Sequence, residues 1–169
     1  MRVLINHSDI VKASKKIGKA ITQQFLGKEL VVVCVLKGAA PFHAELIKHI
    51  DLQMETDYVQ IKSYEGTEST GVITLKKDLD VDITNKDVVI VEDIVDSGRT
   101  LLWLKQTLLK RNPNSLTFVS LLDKPSRRVV EVDVEYTGFE IPDEFVVGYG
   151  LDYDQKYRNL PYIGVVEFE

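Results

Sequence analysis

Residues 88–101 form the stretch VVIVEDIVDSGRTL. Its first four residues are apolar and β-branched, which predicts a strand buried on both faces of a parallel sheet. Two adjacent acids, Glu92 and Asp93, follow this run, and the compact loop DSGRT comes three residues later. Ligands of open parallel sheets lie beyond the carboxyl ends of the strands. The stretch therefore indicates a binding site at the end of this strand.

The segments on either side repeat the same strand, turn and helix pattern. LVVVCVL (residues 30–36) and SLTFVSLLD (residues 115–123) are two more apolar runs typical of buried strands. Apolar residues at helical spacing predict helices after Ser8 and after the DSGRT loop. METDYVQIKSY (residues 54–64) predicts a strand, and VITLKKDL (residues 72–79) a hairpin partner for it. The pattern predicts one domain of the α/β class, with a doubly wound, mostly parallel sheet.

Composition excludes several classes of protein. The 169 residues carry a formal net charge of −5 and a pI near 5.3, which argues against binding of nucleic acid. No apolar run is long enough to span a bilayer, and the first residues do not read as a secretory signal, so we expect no membrane and a cytoplasmic location. The lone Cys34 sits in an apolar run and predicts an inert core thiol. The three histidines lack zinc-ligand spacing and are expected at the surface.

The loop after the acids has the parts of a phosphate cradle. Residues 96–100 supply backbone N–H groups, two hydroxyls and the start of a helix, and Gly98 allows close backbone approach. The Walker pattern GxxxxGK[ST] is absent. Adjacent carboxylates beside a phosphate site suggest ribose hydroxyls or a metal ion as ligands. A solvated turn with a helix cap is the alternative for two acids alone, and the attached DSGRT disfavours it.

VVIVEDIVDSGRTL resembles the phosphoribosyl-diphosphate motif of the type I phosphoribosyltransferases, and the chain resembles the branch of that family that uses 6-oxopurines. The similarity continues in VLKGAAPF, SYEGTESTG, SLLDKPSRR and IPDEFVVGYGLDYDQKYRNLPYIGVV, in family order. It implies the type I phosphoribosyltransferase fold: a mostly parallel twisted sheet flanked by helices, with a small hood. It also implies a single domain over residues 1–169. The core covers about 8–124, a lid 63–74, and the hood about 125–169 with the first few residues.

The resemblance implies an enzyme that transfers the phosphoribosyl group from phosphoribosyl diphosphate to hypoxanthine or guanine. The residues it places on phosphoribosyl diphosphate are Lys37, Gly38, Ser63, Tyr64, Glu92, Asp93, Asp96, Ser97, Gly98, Arg99, Thr100 and Arg158. Mg²⁺ is the implied cofactor, with Glu92, Asp93 and Asp152 as its ligands. The Leu36–Lys37 peptide bond is expected to be cis. Homodimers or homotetramers are the implied assembly.

On the purine side the resemblance implies Lys124 as donor to the 6-oxo group and Phe145 as the stacking ring, with backbone carbonyls of Val146 and Asp152 as acceptors. It makes Asp96 the base that takes the N7 proton, whereas helix capping through Arg99 is the alternative role for that carboxylate. Lys124 could also be a solvated loop residue and Arg158 a surface charge. Rival functions are a nucleic-acid regulator of the same fold, and an enzyme that uses xanthine or another base.

Overall fold

A computed structural model describes residues 1–64 and 72–168, without the side chain of Tyr64. A six-stranded sheet in the order β4-β3-β2-β5-β6-β7 forms its centre. The strands of this sheet are β2 (Leu30–Leu36), β3 (Met54–Tyr64), β4 (Val72–Lys77), β5 (Asp87–Val95), β6 (Ser115–Asp123) and β7 (Tyr136–Glu140). All neighbours run parallel except β3 and β4, which form the predicted antiparallel hairpin. The predicted mostly parallel α/β sheet is confirmed.

Three helices cover the two faces of the sheet: α1 (His7–Gln24), α2 (Ala40–Ile47) and α3 (Arg99–Leu109). The first begins one residue before the predicted Ser8, because the side chain of Asn6 accepts a hydrogen bond from Asp9 N at 2.9 Å and caps it. Pro41 lies in the first turn of α2, where a missing N–H costs nothing. A short 3₁₀ helix, Pro125–Arg127, follows β6.

Strand alternation divides the core into two layers. Val32 of β2 and Val89 of β5 face one cluster with α1 and α2, while Val33 and Ile90 face the other cluster with α3. Because both faces of β2 and β5 are covered, β2 and residues 88–91 of β5 are continuously apolar rather than alternating. This double burial is the physical reason that the opening stretch could be assigned to a central strand.

A second sheet has three strands in the order β1-β9-β8: β1 (Arg2–Ile5), β8 (Val146–Val147) and β9 (Ile163–Val165). It joins segments from both sequence ends, which agrees with the small hood that the resemblance implies. Strand β7 pairs with β6 in the main sheet, so that sheet continues past residue 124, where the predicted core ended. The division into core and hood stays a prediction.

The expectation that the histidines lie at the surface is wrong for one of them. His43 is buried on α2, with Nε2 3.4 Å from Val32 O, and its ring packs edge-on against Tyr58. His7 is exposed and His49 is half-buried. Burial on the inner face of α2 explains the error, because an isolated histidine gives no sequence signal of its face. Within the described residues, every helix is too short or too polar to cross a membrane.

Candidate active site

The carboxyl ends of the parallel strands bring the predicted site segments to one edge of the sheet. Lys37 follows β2, Ser63 closes β3, Asp96 follows β5 and Lys124 follows β6. All four of these segments lie at the carboxyl ends of their strands. Four segments far apart in sequence therefore meet because parallel strands end together.

Glu92 and Asp93 lie near the carboxyl end of strand β5. Burial raises the pKa of both carboxyl groups. Each also has a charged neighbour: the negative charge of Asp93 further raises the pKa of Glu92, and that of Asp152 further raises the pKa of Asp93. Asp93 Oδ1 accepts a hydrogen bond from Ile94 N at 2.7 Å, and the guanidinium of Arg158 partly opposes the upward shift. Both carboxyl groups therefore favour the protonated form more than an exposed acid does.

The same acids act on Cys34, the predicted inert thiol. Burial, followed by the charges of Glu92 and Asp93, raises its pKa to about 12. The side chain is fully buried within β2. A thiol with so high a pKa stays protonated and is a poor nucleophile at neutral pH.

The DSGRT segment forms the predicted turn into α3. Gly98 has φ +84°, in the left-handed region, and a Cβ there would meet Arg128 Cδ and Val132 Cγ1 at 3.0 Å. Both conformation and space therefore require glycine. The side chain of Asp96 is exposed, and one cavity is lined by Glu92, Asp96, Ser97, Gly98 and Thr100, among others.

Ser97 rather than Asp96 meets the free N–H groups at the start of α3. Its Oγ accepts from Arg99 N at 3.2 Å, while its carbonyl accepts from Val129 N at 2.9 Å and Val130 N at 3.3 Å. The segment after the 3₁₀ helix thus supports the cradle from behind. This arrangement disfavours the helix-capping alternative for Asp96, because Ser97 already accepts the hydrogen bond from Arg99 N.

The turn after β2 lies directly against the acids. The Leu36–Lys37 peptide bond is cis, as the resemblance implies. A Cβ at Gly38 would collide with the carboxylate of Asp93, and a Cβ at Gly150 would collide with Gly38 O. Three backbone segments therefore approach as closely as glycine permits, with Asp93 at their centre.

Gly150 and Gln155 are site residues that the sequence analysis missed. Gly150 has φ +99°, and its carbonyl accepts from Arg158 Nη1 at 2.7 Å. Gln155 Oε1 accepts from Arg158 Nη2 at 3.1 Å and from Lys37 Nζ at 3.5 Å. Gly150, which lies between Tyr149 and Tyr153, could have indicated a close approach of two backbone segments. Nothing in the sequence distinguishes Gln155 from a surface residue.

Arg158 is fixed within this network and is not a free surface charge. Its side chain is half-buried, and Nη2 lies 3.5 Å from Asp152 Oδ1. Asp152 Oδ2 accepts from Gln155 N at 3.0 Å, which fixes the carboxylate. Two cations, Lys37 and Arg158, thus converge on one acceptor beside Asp152, a geometry that suits an anionic ligand.

On the other side of the cradle, Lys124 is buried with only 7% of its surface exposed, so the solvated-loop alternative is wrong. Its backbone N donates to Val95 O at 3.0 Å, and Nζ lies 3.7 Å from Asp143 Oδ1. Arg127 Nη1 lies 3.6 Å from the other oxygen of Asp143 and is exposed. Lys124 and Arg127 of the basic run KPSRR therefore share one carboxylate, and only Arg127 of the two faces water.

The aromatic side of the site is partly exposed. Phe145 keeps 44% of its surface exposed and contacts the rings of Tyr153 and Phe168 edge-on. Val146 is buried in β8, directly after this ring. An exposed aromatic ring of this kind can stack on a planar base.

Ser63 is exposed at the end of β3, within the segment predicted as a lid. Residues 65–71 of the predicted lid and the side chain of Tyr64 lie outside the described residues. The remainder of the segment is β-hairpin, with Ser63 paired to Ile73. The roles of Ser63 and Tyr64 stay predictions.

Known proteins match this chain over most of its length. A family profile described as "Phosphoribosyl transferase domain" matches residues 4–154. A curated hypoxanthine-guanine phosphoribosyltransferase of Streptococcus pneumoniae is 50% identical over 169 residues, covering 99% of this chain and 94% of its own. This chain belongs to the hypoxanthine-guanine phosphoribosyltransferase family.

Solved structures of the family have the same fold. A hypoxanthine phosphoribosyltransferase of Staphylococcus aureus superposes with a TM-score of 0.95 at 49% identity, covering 99% of this chain and 91% of its own. A hypoxanthine-guanine phosphoribosyltransferase of Bacillus anthracis gives 0.95 at 47% identity and 99% coverage of both chains. The predicted type I phosphoribosyltransferase fold is confirmed.

The phosphoribosyltransferase family implies Mg²⁺, and the donor set fits a magnesium ion that is shared with substrate. The described residues contain no group of three or more His, Cys, Asp or Glu side chains placed to hold a metal by themselves. Asp93 and Asp152 nevertheless lie close enough for one charge to raise the pKa of the other. Mg²⁺ commonly takes one or two carboxylates, with substrate phosphates and water completing six ligands. Asp93 and Asp152 suit that mode of binding.

Proposed function

We propose that this chain transfers the 5-phosphoribosyl group of phosphoribosyl diphosphate to N9 of hypoxanthine or guanine, giving IMP or GMP and diphosphate in purine salvage. The single observation that carries this function is the convergence of Gly38, Asp93 and Gly150 beside the DSGRT cradle. A phosphate site, an acid pair and a stacking ring are the three parts that the proposed reaction needs. The family relationship gives the reaction class: a glycosyltransferase that moves a pentosyl group.

The chemistry sets what the site must do. Breaking the C1–O bond leaves an oxocarbenium-like ribose and a highly charged diphosphate, so anions need stabilisation at both ends. The cradle of residues 96–100 binds the 5′-phosphate through backbone N–H groups and hydroxyls, with Ser97, Gly98, Arg99 and Thr100 held by the start of α3. The convergence of Lys37 Nζ and Arg158 Nη2 on Gln155 Oε1 supports a diphosphate site there, because a phosphate oxygen can replace that acceptor.

Glu92 and Asp93 contact the ribose hydroxyls and, with Asp152, would hold Mg²⁺. Mg²⁺, when bound, neutralises charge on the leaving diphosphate and orients it. The raised pKa values of the two buried acids support a cation there, since a nearby positive charge favours the ionised carboxylates. Ser63 and Tyr64 would close over the diphosphate and exclude water from the reacting carbon.

Lys124 selects the base. Its ammonium donates to the 6-oxo group, Phe145 stacks on the ring, and the carbonyls of Val146 and Asp152 accept from N1–H and a 2-amino group. Adenine presents an amino donor where Lys124 also donates, which leaves both groups unpaired and can discriminate by about 10⁴ or more. Burial of Lys124 supports this role, because an unpaired donor costs most where water is excluded.

Asp96 accepts the proton that leaves N7 of the base. Its exposed side chain follows β5 and lines the cavity at the cradle. Since Ser97 makes the hydrogen bond to Arg99 N, the Asp96 carboxylate is available for proton transfer. A general base in the right place contributes about 10²–10⁴ to a rate.

The first test is a spectrophotometric assay with phosphoribosyl diphosphate and Mg²⁺, run in parallel with hypoxanthine, guanine, xanthine and adenine. Turnover of the first two, with no signal from adenine, supports the proposal, and a xanthine rate sets the base range. Tight binding of phosphoribosyl diphosphate without turnover of any base would instead favour a regulator of the same fold.

The cell compartment and assembly are part of the proposal. Cytoplasmic location is supported by the single buried thiol, which suits a reducing compartment. The family resemblance favours a homodimer or homotetramer, and the acidic net charge of −5 disfavours nucleic acid as a partner. Light scattering of the purified chain measures the assembly directly.

A further inference from the structure

Three aromatic rings form a triangular cluster beside the base site. The ring centroids of Phe145, Tyr153 and Phe168 lie 5.6, 5.7 and 5.8 Å apart, with interplanar angles of 89°, 65° and 60°. These separations fall within the range of favourable edge-to-face pairs. All three rings are partly in solvent: 44% of Phe145, 47% of Tyr153 and 62% of Phe168 is exposed. Neither the sequence motifs nor the site described above uses Phe168.

The backbone holds Phe168 near Phe145. Strand β9 pairs with β8, with Val165 opposite Val146, and Val166 N donates to Phe145 O at 2.9 Å. Phe168 lies two residues after Val166, and its ring contacts the ring of Phe145, the residue that accepts the Val166 hydrogen bond. Backbone pairing therefore holds the two rings close enough for contact.

The arrangement has a physical use for a stacking ring. An exposed phenylalanine samples several rotamers, and ordering it when the base binds costs free energy. Two neighbours that meet its ring edge-on reduce those rotamers before the base arrives. Phe145 still has nearly half its surface free, which leaves area for a planar base. Binding to an ordered ring loses less side-chain entropy than binding to a mobile one.

We propose that Phe168 is a positioning residue that orders the ring of Phe145 for stacking on the purine. The inference rests on the proposed function, in which Phe145 is the stacking residue, and adds a contribution from the segment after β9. The other reading of three exposed rings is a contact surface between copies of the chain. That reading predicts a change in assembly and no selective effect on the purine.

The test compares four proteins: wild type, Phe168→Ala, Phe168→Leu and Phe168→Tyr. Loss of an aromatic pair raises the purine KM by about 2- to 12-fold in the alanine variant. The leucine variant, which keeps apolar bulk without a ring, behaves like alanine, and the tyrosine variant keeps the wild-type purine KM. The KM for phosphoribosyl diphosphate and kcat stay unchanged in all four.

Leu26→Ala is the matched control, since Leu26 is also an exposed apolar residue, 69% exposed, but precedes β2 at the opposite edge of the sheet. It leaves both KM values unchanged. Thermal melting confirms that each variant is folded, and the leucine variant serves if alanine is not. Equal purine KM in wild type, alanine and leucine variants would overturn the inference, as would equal increases for both substrates or a change only in assembly.

A binding measurement separates this inference from the proposed function. Calorimetric titration of GMP into wild type and Phe168→Ala reports stacking without turnover. Weaker GMP binding by the variant supports the positioning role even if the assay conditions are poor, and equal binding overturns it. A wild-type protein that neither turns over nor binds any purine contradicts the proposed function itself.

Discussion

Replacing Lys124 with alanine tests the base side of the site most directly. The lysine is buried, and its Nζ lies 3.7 Å from Asp143 Oδ1, so its charge is fixed near the end of β6. A hydrogen bond to a charged group contributes about 1.5–3 kcal/mol. At 1.36 kcal/mol per tenfold, loss of the donor lowers kcat/KM for hypoxanthine and guanine by about 10- to 150-fold.

Arg127→Ala is the matched control for this substitution. Arg127 contacts the same carboxylate at 3.6 Å, but its side chain is 57% exposed, so its removal leaves kcat/KM unchanged. The assay measures initial rates with hypoxanthine, guanine and adenine for both variants. Equal losses in the Lys124 and Arg127 variants would refute the reasoning, because the effect would then come from Asp143 and not from a donor to the base. A gain in adenine relative to hypoxanthine is expected only for Lys124→Ala.

Three further predictions concern other parts of the molecule. Asp96→Asn lowers kcat by about 10²–10⁴ while calorimetry shows unchanged binding of phosphoribosyl diphosphate; equal loss of both would make Asp96 a builder of the cradle. Gly38→Ala lowers stability by about 1–3 kcal/mol and abolishes turnover, because its Cβ collides with Asp93, whereas Gly27→Ala, which meets nothing within 4 Å but strains the backbone at φ +79°, leaves turnover intact. Burial lowers the pKa of His43 below 6.5, so its contribution to stability is lost as pH falls below that value; urea unfolding of His43→Gln shows a shallower pH dependence, and identical slopes for both proteins contradict this.

The fold follows largely from apolar patterning. Strands β2 and β3 have the predicted bounds, Leu30–Leu36 and Met54–Tyr64, because a continuous apolar run marks β2 and a polar segment with two glycines follows β3. Helix α2 begins at Ala40, inside the segment VLKGAAPF, since Pro41 can occupy a first turn as well as precede one. The predicted start of α1 after Ser8 is wrong, because Asn6 and Ser8 are both good caps and only geometry selects between them.

The site is less evenly determined. The acids and the cradle could be named from the sequence because they lie at the end of a recognisable strand, whereas Lys124 was named from the family resemblance. Burial of Lys124 and of His43 could not, since a polar side chain gives no periodic signal of the face that it occupies. Gln155 is similar: its contacts with Lys37 and Arg158 depend on a loop in which Asp154, Gln155 and Tyr157 all have positive φ.

Local patterns of residues are sufficient to assign the class of fold, the order of the strands along the chain and the chemistry available at their carboxyl ends. Those properties reside in local runs of residues, where apolar periodicity and turn-forming types act over short distances. The contacts of Gly38 with Asp93, of Gly150 with Gly38 and of Phe168 with Phe145 follow only from the folded chain. These contacts join segments separated by tens of residues, and their geometry depends on the packing of the whole chain rather than on any single stretch.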